Sequence, residues 1–124
     1  MPMRVAIPDW DGHVSPVLDN ANRCLLIEIE DGSVIGRETV VLAEGSPSSR
    51  ALQLVKLRVD VLICCTITHA LEAAIASHGV RVIRHICGSV KEVIDAFTVG
   101  GMIPQGFIMP GCLRRHREWE PPPE

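Results

Sequence analysis

The sequence predicts a single α/β domain, and three observations carry that prediction. Short apolar runs, several alternating with period two, recur along the chain. Amphipathic helical stripes separate the later runs, as in parallel crossover units. Turn-forming residues mark the boundaries.

The first strand runs from Met3 to Pro8, where Val5 and Ile7 alternate with Arg4 and Ala6. Asp9-Trp10-Asp11-Gly12-His13-Val14-Ser15-Pro16 reads as a loop because turn formers dominate it. Arg23 to Glu30 is a second strand, and Asp31-Gly32 supplies the tight hairpin turn into a third over Val34 to Leu42. Ser46 as N-cap and Pro47 at the first helical position predict a helix over Pro47 to Arg58 that buries Ala51, Leu54 and Val55.

Asp60-Val61-Leu62-Ile63-Cys64-Cys65 is almost wholly apolar, as befits a central parallel strand covered on both faces. Thr68 caps a second helix with the stripe Leu71, Ala74, Ile75 and His78, closed by Gly79. Val80 to Ile86 is the fifth strand, marked as an edge by Arg81 and Arg84. Ser89-Val90-Lys91-Glu92 is a capping box, and Val90, Val93, Ile94 and Phe97 form the stripe of the helix it starts. Gly100-Gly101 ends that helix. The domain is therefore set at residues 1–101, with an irregular tail over 102–124 able to fold over a site.

The element order is βββαβαβα. A hairpin-linked antiparallel trio feeding two right-handed crossovers gives a mixed five-stranded sheet with three helices. The expected strand order is 3-2-1-4-5, a ribonuclease H-like arrangement.

Composition narrows the function. With 124 residues and 47% hydrophobic content the chain can bury one core. A formal charge of −3 argues against general nucleic-acid binding. No leader-like apolar segment opens the chain and no run approaches a membrane span, so a cytoplasmic location without membrane contact is expected. Thiols stay reduced there, and five cysteines do not make a disulfide framework. They are buried packing, redox thiols or metal ligands.

In an open α/β sheet, ligands bind beyond the carboxyl ends of the parallel strands where the strand order reverses. The expected topology brings three groups there: the loop Asp9 to Pro16, the stretch Cys64 to His69, and Cys87. Alternation prevents Cys64 and Cys65 from serving one site together, and Cys65 is favoured for lying nearer the loop. The same rule places His85 on the face of Cys87. Cys24, in the second strand, reads as packing, and His78 as a helix-end residue. His13 lies in the crevice loop. Asp9 and Asp11 raise the thought of a two-metal nuclease, but the first helix contributes no carboxylate. There is no Gly-rich phosphate loop, Cys-x-x-Cys pair or nucleophile elbow.

Several segments together resemble the nitrogenase iron–molybdenum cofactor biosynthesis family, the group of NifX-like proteins and the carboxy-terminal domain of NifB. They are Arg4-Val5-Ala6-Ile7-Pro8, Val14-Ser15-Pro16-Val17-Leu18-Asp19, Asp60-Val61-Leu62-Ile63-Cys64, Ile86-Cys87-Gly88-Ser89-Val90-Lys91-Glu92-Val93 and Phe107-Ile108-Met109-Pro110-Gly111-Cys112. The resemblance covers about residues 3–117. Many relatives carry a His-Phe-Gly-Arg-like run where this chain has Val17-Leu18-Asp19-Asn20, so that histidine's role is not carried over.

The resemblance implies a ribonuclease H-like fold and non-enzymatic binding or carrying of an iron–sulfur or iron–molybdenum–sulfur cluster. The candidate metal ligands are Cys87, Cys112, Cys65 or Cys64, and His85. His13, Arg114 and Arg115 are candidate cofactor-binding residues, the arginines balancing an anionic cluster. Cluster-assembly or acceptor proteins are the expected partners, with no nucleic acid. The alternatives are a thiol redox or metal-dependent enzyme at the same crevice, and a ligand-free regulatory or interaction domain.

Overall fold

In the computed structural model, which describes residues 2–100, the first strand β1 (Met3–Trp10) supplies both halves of the core. Its alternation sends Val5 and Ile7 to one face and Ala6 to the other, all fully buried. β1 pairs antiparallel with β3 (Arg23–Glu30) and parallel with β5 (Val61–Ile63), so it holds the centre of the sheet. β4 (Ser33–Val41) continues the antiparallel side and β6 (Arg81–Ile83) the parallel side, giving the path β4-β3-β1-β5-β6. β2 (His13–Val14) pairs only with the end of β1 within the sheet. The result is a mixed sheet of six strands among the described residues.

Three helices cover it. α1 (Pro47–Lys56) and α2 (His69–Ala76) bury Ala51, Leu54, Leu71 and Ile75 against Ala6, Cys24, Leu26 and Leu62. α3 (Val90–Gly100) lays Val90, Val93, Ile94 and Phe97 on the opposite face, against Val5, Ile7, Ile27 and Ile63. The N-caps are those the sequence predicts: Ser46 accepts from Ser49 N–H, Thr68 from Leu71 N–H and Ser89 from Glu92 N–H.

Several elements depart from their expected bounds. The loop Asp9–Pro16 contains a hairpin: Asp11 and Gly12 both take positive φ (53° and 82°), as the two central residues of a primed turn require. The same dipeptide, Asp31-Gly32, turns β3 into β4 with φ of 53° and 76°. Helix α1 stops at Lys56, short of Arg58. There the Arg58 N–H bonds Val55 O at 3.0 Å and the Val59 N–H bonds Leu54 O at 3.3 Å, which is a Schellman closure with Arg58 in the left-handed position usually held by glycine. The expected strand Val80–Ile86 keeps only three ladder residues, because His85 also adopts positive φ (67°) and turns the chain out of the strand. Likewise the strand expected over Asp60–Cys65 ends at Ile63. The tail 102–124 lies outside the described residues.

Candidate functional site

The carboxyl ends of β1, β5 and β6 meet at one edge of the sheet, and backbone hydrogen bonds stitch their loops together. From the β1 side, Leu18 N–H donates to Thr66 O at 2.8 Å, and Thr66 N–H donates back to Pro16 O at 3.0 Å. Further along, Val14 N–H reaches Gly88 O and Val90 N–H reaches Gly12 O, both at 2.9 Å, bridging His13 to Ser89. The two crossover loops also hold each other: His85 N–H donates to Cys65 O at 2.7 Å and Ile86 N–H to Cys64 O at 3.1 Å. Asp19 adds a side-chain tie, accepting from both the N–H and the hydroxyl of Thr68.

This frame sorts the thiols. Cys64 is fully buried on the α1/α2 side of the sheet, whereas Cys65, 5% exposed, belongs to the α3-side core. Cys87 is half-buried and packs against that same α3-side core. Two thiols from the loops that follow neighbouring parallel strands therefore share one side of the sheet. Cys64 faces away from them, and burial raises its pKa well above the ordinary thiol range, with the nearby Glu72 carboxylate adding to the effect. Cys24 also lies on the α1/α2 side. Burial pushes its thiol up to about 12, assisted by the Asp9 charge and opposed by a backbone hydrogen bond at Ile7. Both buried thiols are poor sources of thiolate.

His85 sits between the two α3-side cysteines along the chain path, half-buried. Strand alternation does not govern its relation to Cys87, because β6 has already ended at Ile83. Its left-handed backbone is a costly conformation for a residue with a Cβ, and such strain concentrates at sites. His13 is exposed and pairs across the hairpin with Trp10. Its neighbour Val14 enters the α3-side core, so alternation turns His13 away from the side of Cys65. Cys112, Arg114 and Arg115 lie outside the described residues. Among the described residues no three His, Cys, Asp or Glu side chains gather as a ready metal site. Asp9 serves the hairpin instead, its Oδ1 accepting from Gly12 N–H at 3.0 Å.

Sequence reasoning missed two features on the α1 side. Arg50 is buried, and its guanidinium donates to the carbonyls of Leu18, Ala21 and Ala43. A cavity of about 440 Å³ opens beside Trp10, Asn22 and Arg23. The Asp-Gly pair at 11–12 was the signal for the hairpin that displays Trp10; nothing local in the sequence announces the buried role of Arg50.

The comparisons with known proteins agree with this architecture. No curated protein matches the chain. Among solved structures, PH0822 superposes with a TM-score of 0.77 at 25% identity, over 88% of this chain and 98% of its own. A NifB candidate from Thermotoga, assigned to the DUF35 family, gives 0.62 at 28% identity over the same shares. A dinitrogenase candidate from Methanocaldococcus jannaschii gives 0.68 at 21% identity, over 81% of this chain and 91% of its own, and this last likeness bears on the fold alone. A family model described as dinitrogenase iron–molybdenum cofactor matches residues 1–100, and the chain belongs to that family.

Proposed function

We propose that the protein binds or carries an iron–sulfur or iron–molybdenum–sulfur cluster, without catalysing a reaction, through Cys65 and Cys87. The observation that carries this reading is the shared α3 side of the two thiols in the loops after β5 and β6. Thiolate is the soft donor such clusters take. Two thiols alone do not complete a mononuclear site. A cluster supplies bridging sulfide to its own metals and needs fewer protein ligands, so the donor set fits cargo of that kind. Cys112 and His85 are the further ligands in this reading, and Arg114 and Arg115 balance the cluster's negative charge. Cys64 is left out because it faces the opposite layer. Membership of the iron–molybdenum cofactor family supports the choice of cargo, and cluster-assembly or acceptor proteins are the partners that a carrier requires. The five-strand path is read as ribonuclease H-like, with the cluster at its switch point.

The test is metal and sulfide content after anaerobic reconstitution with iron and sulfide, for wild type and for Cys65→Ser, Cys87→Ser, Cys112→Ser and Cys64→Ser. The expected result is loss of most bound iron in the first three and retention in Cys64→Ser. Equal iron content in wild type, Cys65→Ser and Cys87→Ser overturns the proposal.

A further inference from the structure

The cavity beside Trp10 is independent of the thiols. It is an open cleft of about 440 Å³, within the range of small-molecule sites, and lies where the end of β1 meets the start of β3. Trp10 lines it and is 66% exposed, the one exposed aromatic residue among those described. Its exposed indole offers a flat face on which a ring can stack. The type of turn at Asp11-Gly12 holds it there, since the hairpin is anchored through Gly12, Val14 and Ser89 to the α3 end of the sheet.

The polar groups around the cavity are uncommitted. Ser15 is only 7% exposed, lines the cavity, and its hydroxyl makes no hydrogen bond among the described residues. That hydroxyl is not sealed off, so it is an open position for a ligand or for water. Asn20, Asn22 and Arg23 also line the cavity, and their side chains form no hydrogen bond or ion pair among the described residues. Asp9 is the cavity's one carboxylate, and its Oδ1 is already used by Gly12 N–H. Among the described residues, Arg23 is the one cation that lines the cavity. A neighbouring cavity shares Asn20 and Asn22 and is lined by two carboxylates, Asp19 and Glu44, against one guanidinium, Arg50, whose donors are taken by backbone carbonyls, so negative charge is disfavoured at that end. An anionic group belongs at the Arg23 end.

We infer that this cavity is a binding site for a small planar ring carrying a carboxylate or phosphate, with the ring stacked on Trp10, the anion on Arg23, and a polar ring atom bonded to Ser15. A guanidinium matches either anion, and an indole face accepts flat heterocycles. The site does not depend on the cluster reading, since none of its residues is a proposed metal ligand.

The experiment titrates the full chain by calorimetry with adenosine monophosphate and, separately, with nicotinate, beside uncharged adenosine and nicotinamide. The chain's other tryptophan is Trp119, so fluorescence in a Trp119→Phe background reports on Trp10 directly. Saturable binding of at least one anion, with its uncharged counterpart at least tenfold weaker and Trp10 emission changed, is the expected result. Arg23→Gln should weaken the anion about tenfold and leave the uncharged ligand unchanged, while Trp10→Leu should weaken both about tenfold. Both residues are exposed, so circular dichroism and thermal melting should match wild type. Absence of saturable binding at millimolar anion, equal affinity for charged and uncharged ligands, or affinity unaltered in both variants overturns the inference. Preference for adenosine monophosphate or for nicotinate identifies the source of the anion.

Discussion

The carboxylate of Asp19 takes two hydrogen bonds from Thr68, one from the backbone N–H at 2.9 Å and one from the hydroxyl at 2.6 Å. Thr68 is the N-cap of α2, so a residue 49 positions earlier in the chain finishes that helix's start. It also fastens the loop after β1 to the loop after β5, which carries Cys65. Asp19→Ala should cost about 1–2 kcal/mol, the range of a lost cap interaction, measured by urea unfolding. Asp19→Asn keeps an acceptor for the Thr68 N–H and should cost less. Equal stability of Asp19→Ala and wild type would show that the tie contributes nothing.

Arg50 presents a different balance. Its buried guanidinium donates to three carbonyls: Leu18 O also accepts from Ala21 N–H and Ala43 O from the Gln53 amide, while Ala21 O takes its bond from Arg50. Arg50→Met fills similar volume but leaves the Ala21 carbonyl without its donor and removes one of two from Leu18 O and Ala43 O, so a loss of about 1–3 kcal/mol is expected. Exposed Arg58→Met is the reference for a mere change of charge. The two variants unfolding at the same urea concentration would refute the assignment.

The Schellman closure of α1 offers a stabilising change. Arg58 sits at φ 59°, and glycine there removes the steric cost of a left-handed residue. Arg58→Gly should raise stability by about 0.5–1 kcal/mol, read as a higher melting temperature. Arg58→Ala, which keeps the Cβ, should show no such gain.

Alkaline pH acts through the buried thiols. The Cys24 thiol has its folded pKa raised to about 12 from an ordinary value of 9.0, and that of Cys64 is raised as well. Between those limits the unfolded chain loses protons that the folded chain keeps, so ν_U is smaller than ν_N and stability falls as pH rises. Full stability from this source is present below about pH 9, and each thiol then removes up to about 1.4 kcal/mol per pH unit. Unfolding free energies from pH 8 to 11 should therefore fall less steeply in Cys24→Ala than in wild type. Parallel slopes would mean that Cys24 ionises equally easily folded and unfolded.

The two vicinal cysteines should separate by phenotype. Cys64→Ser places a hydroxyl in the fully buried α1/α2 core and should cost about 1–3 kcal/mol while leaving reconstituted iron intact. Cys65→Ser should lose iron. A Cys64→Ser protein that melts like wild type would show that its site is less closed than the packing implies.

Much of the architecture was legible because local rules act over a few residues. Alternation at Met3–Pro8 and Arg23–Glu30, the Asp31-Gly32 turn, and the caps Ser46, Thr68 and Ser89 each act through neighbours in the chain, and the elements they mark are present. Boundaries slipped where a non-glycine residue took positive φ. Arg58 and His85 carry no local sign of that conformation, and tertiary hydrogen bonds such as His85 N–H to Cys65 O hold it in place. The separation of Cys64 from Cys65 follows from adjacency and period two, so the sequence determined that they part. Which of them shares a side with Cys87 was decided only by the packed sheet, because a core layer exists only once α3 covers one face and α1 and α2 the other. The same holds for the Trp10 cavity, whose walls come from the hairpin, the 3₁₀ turn and the start of β3, segments that meet only through long-range pairing.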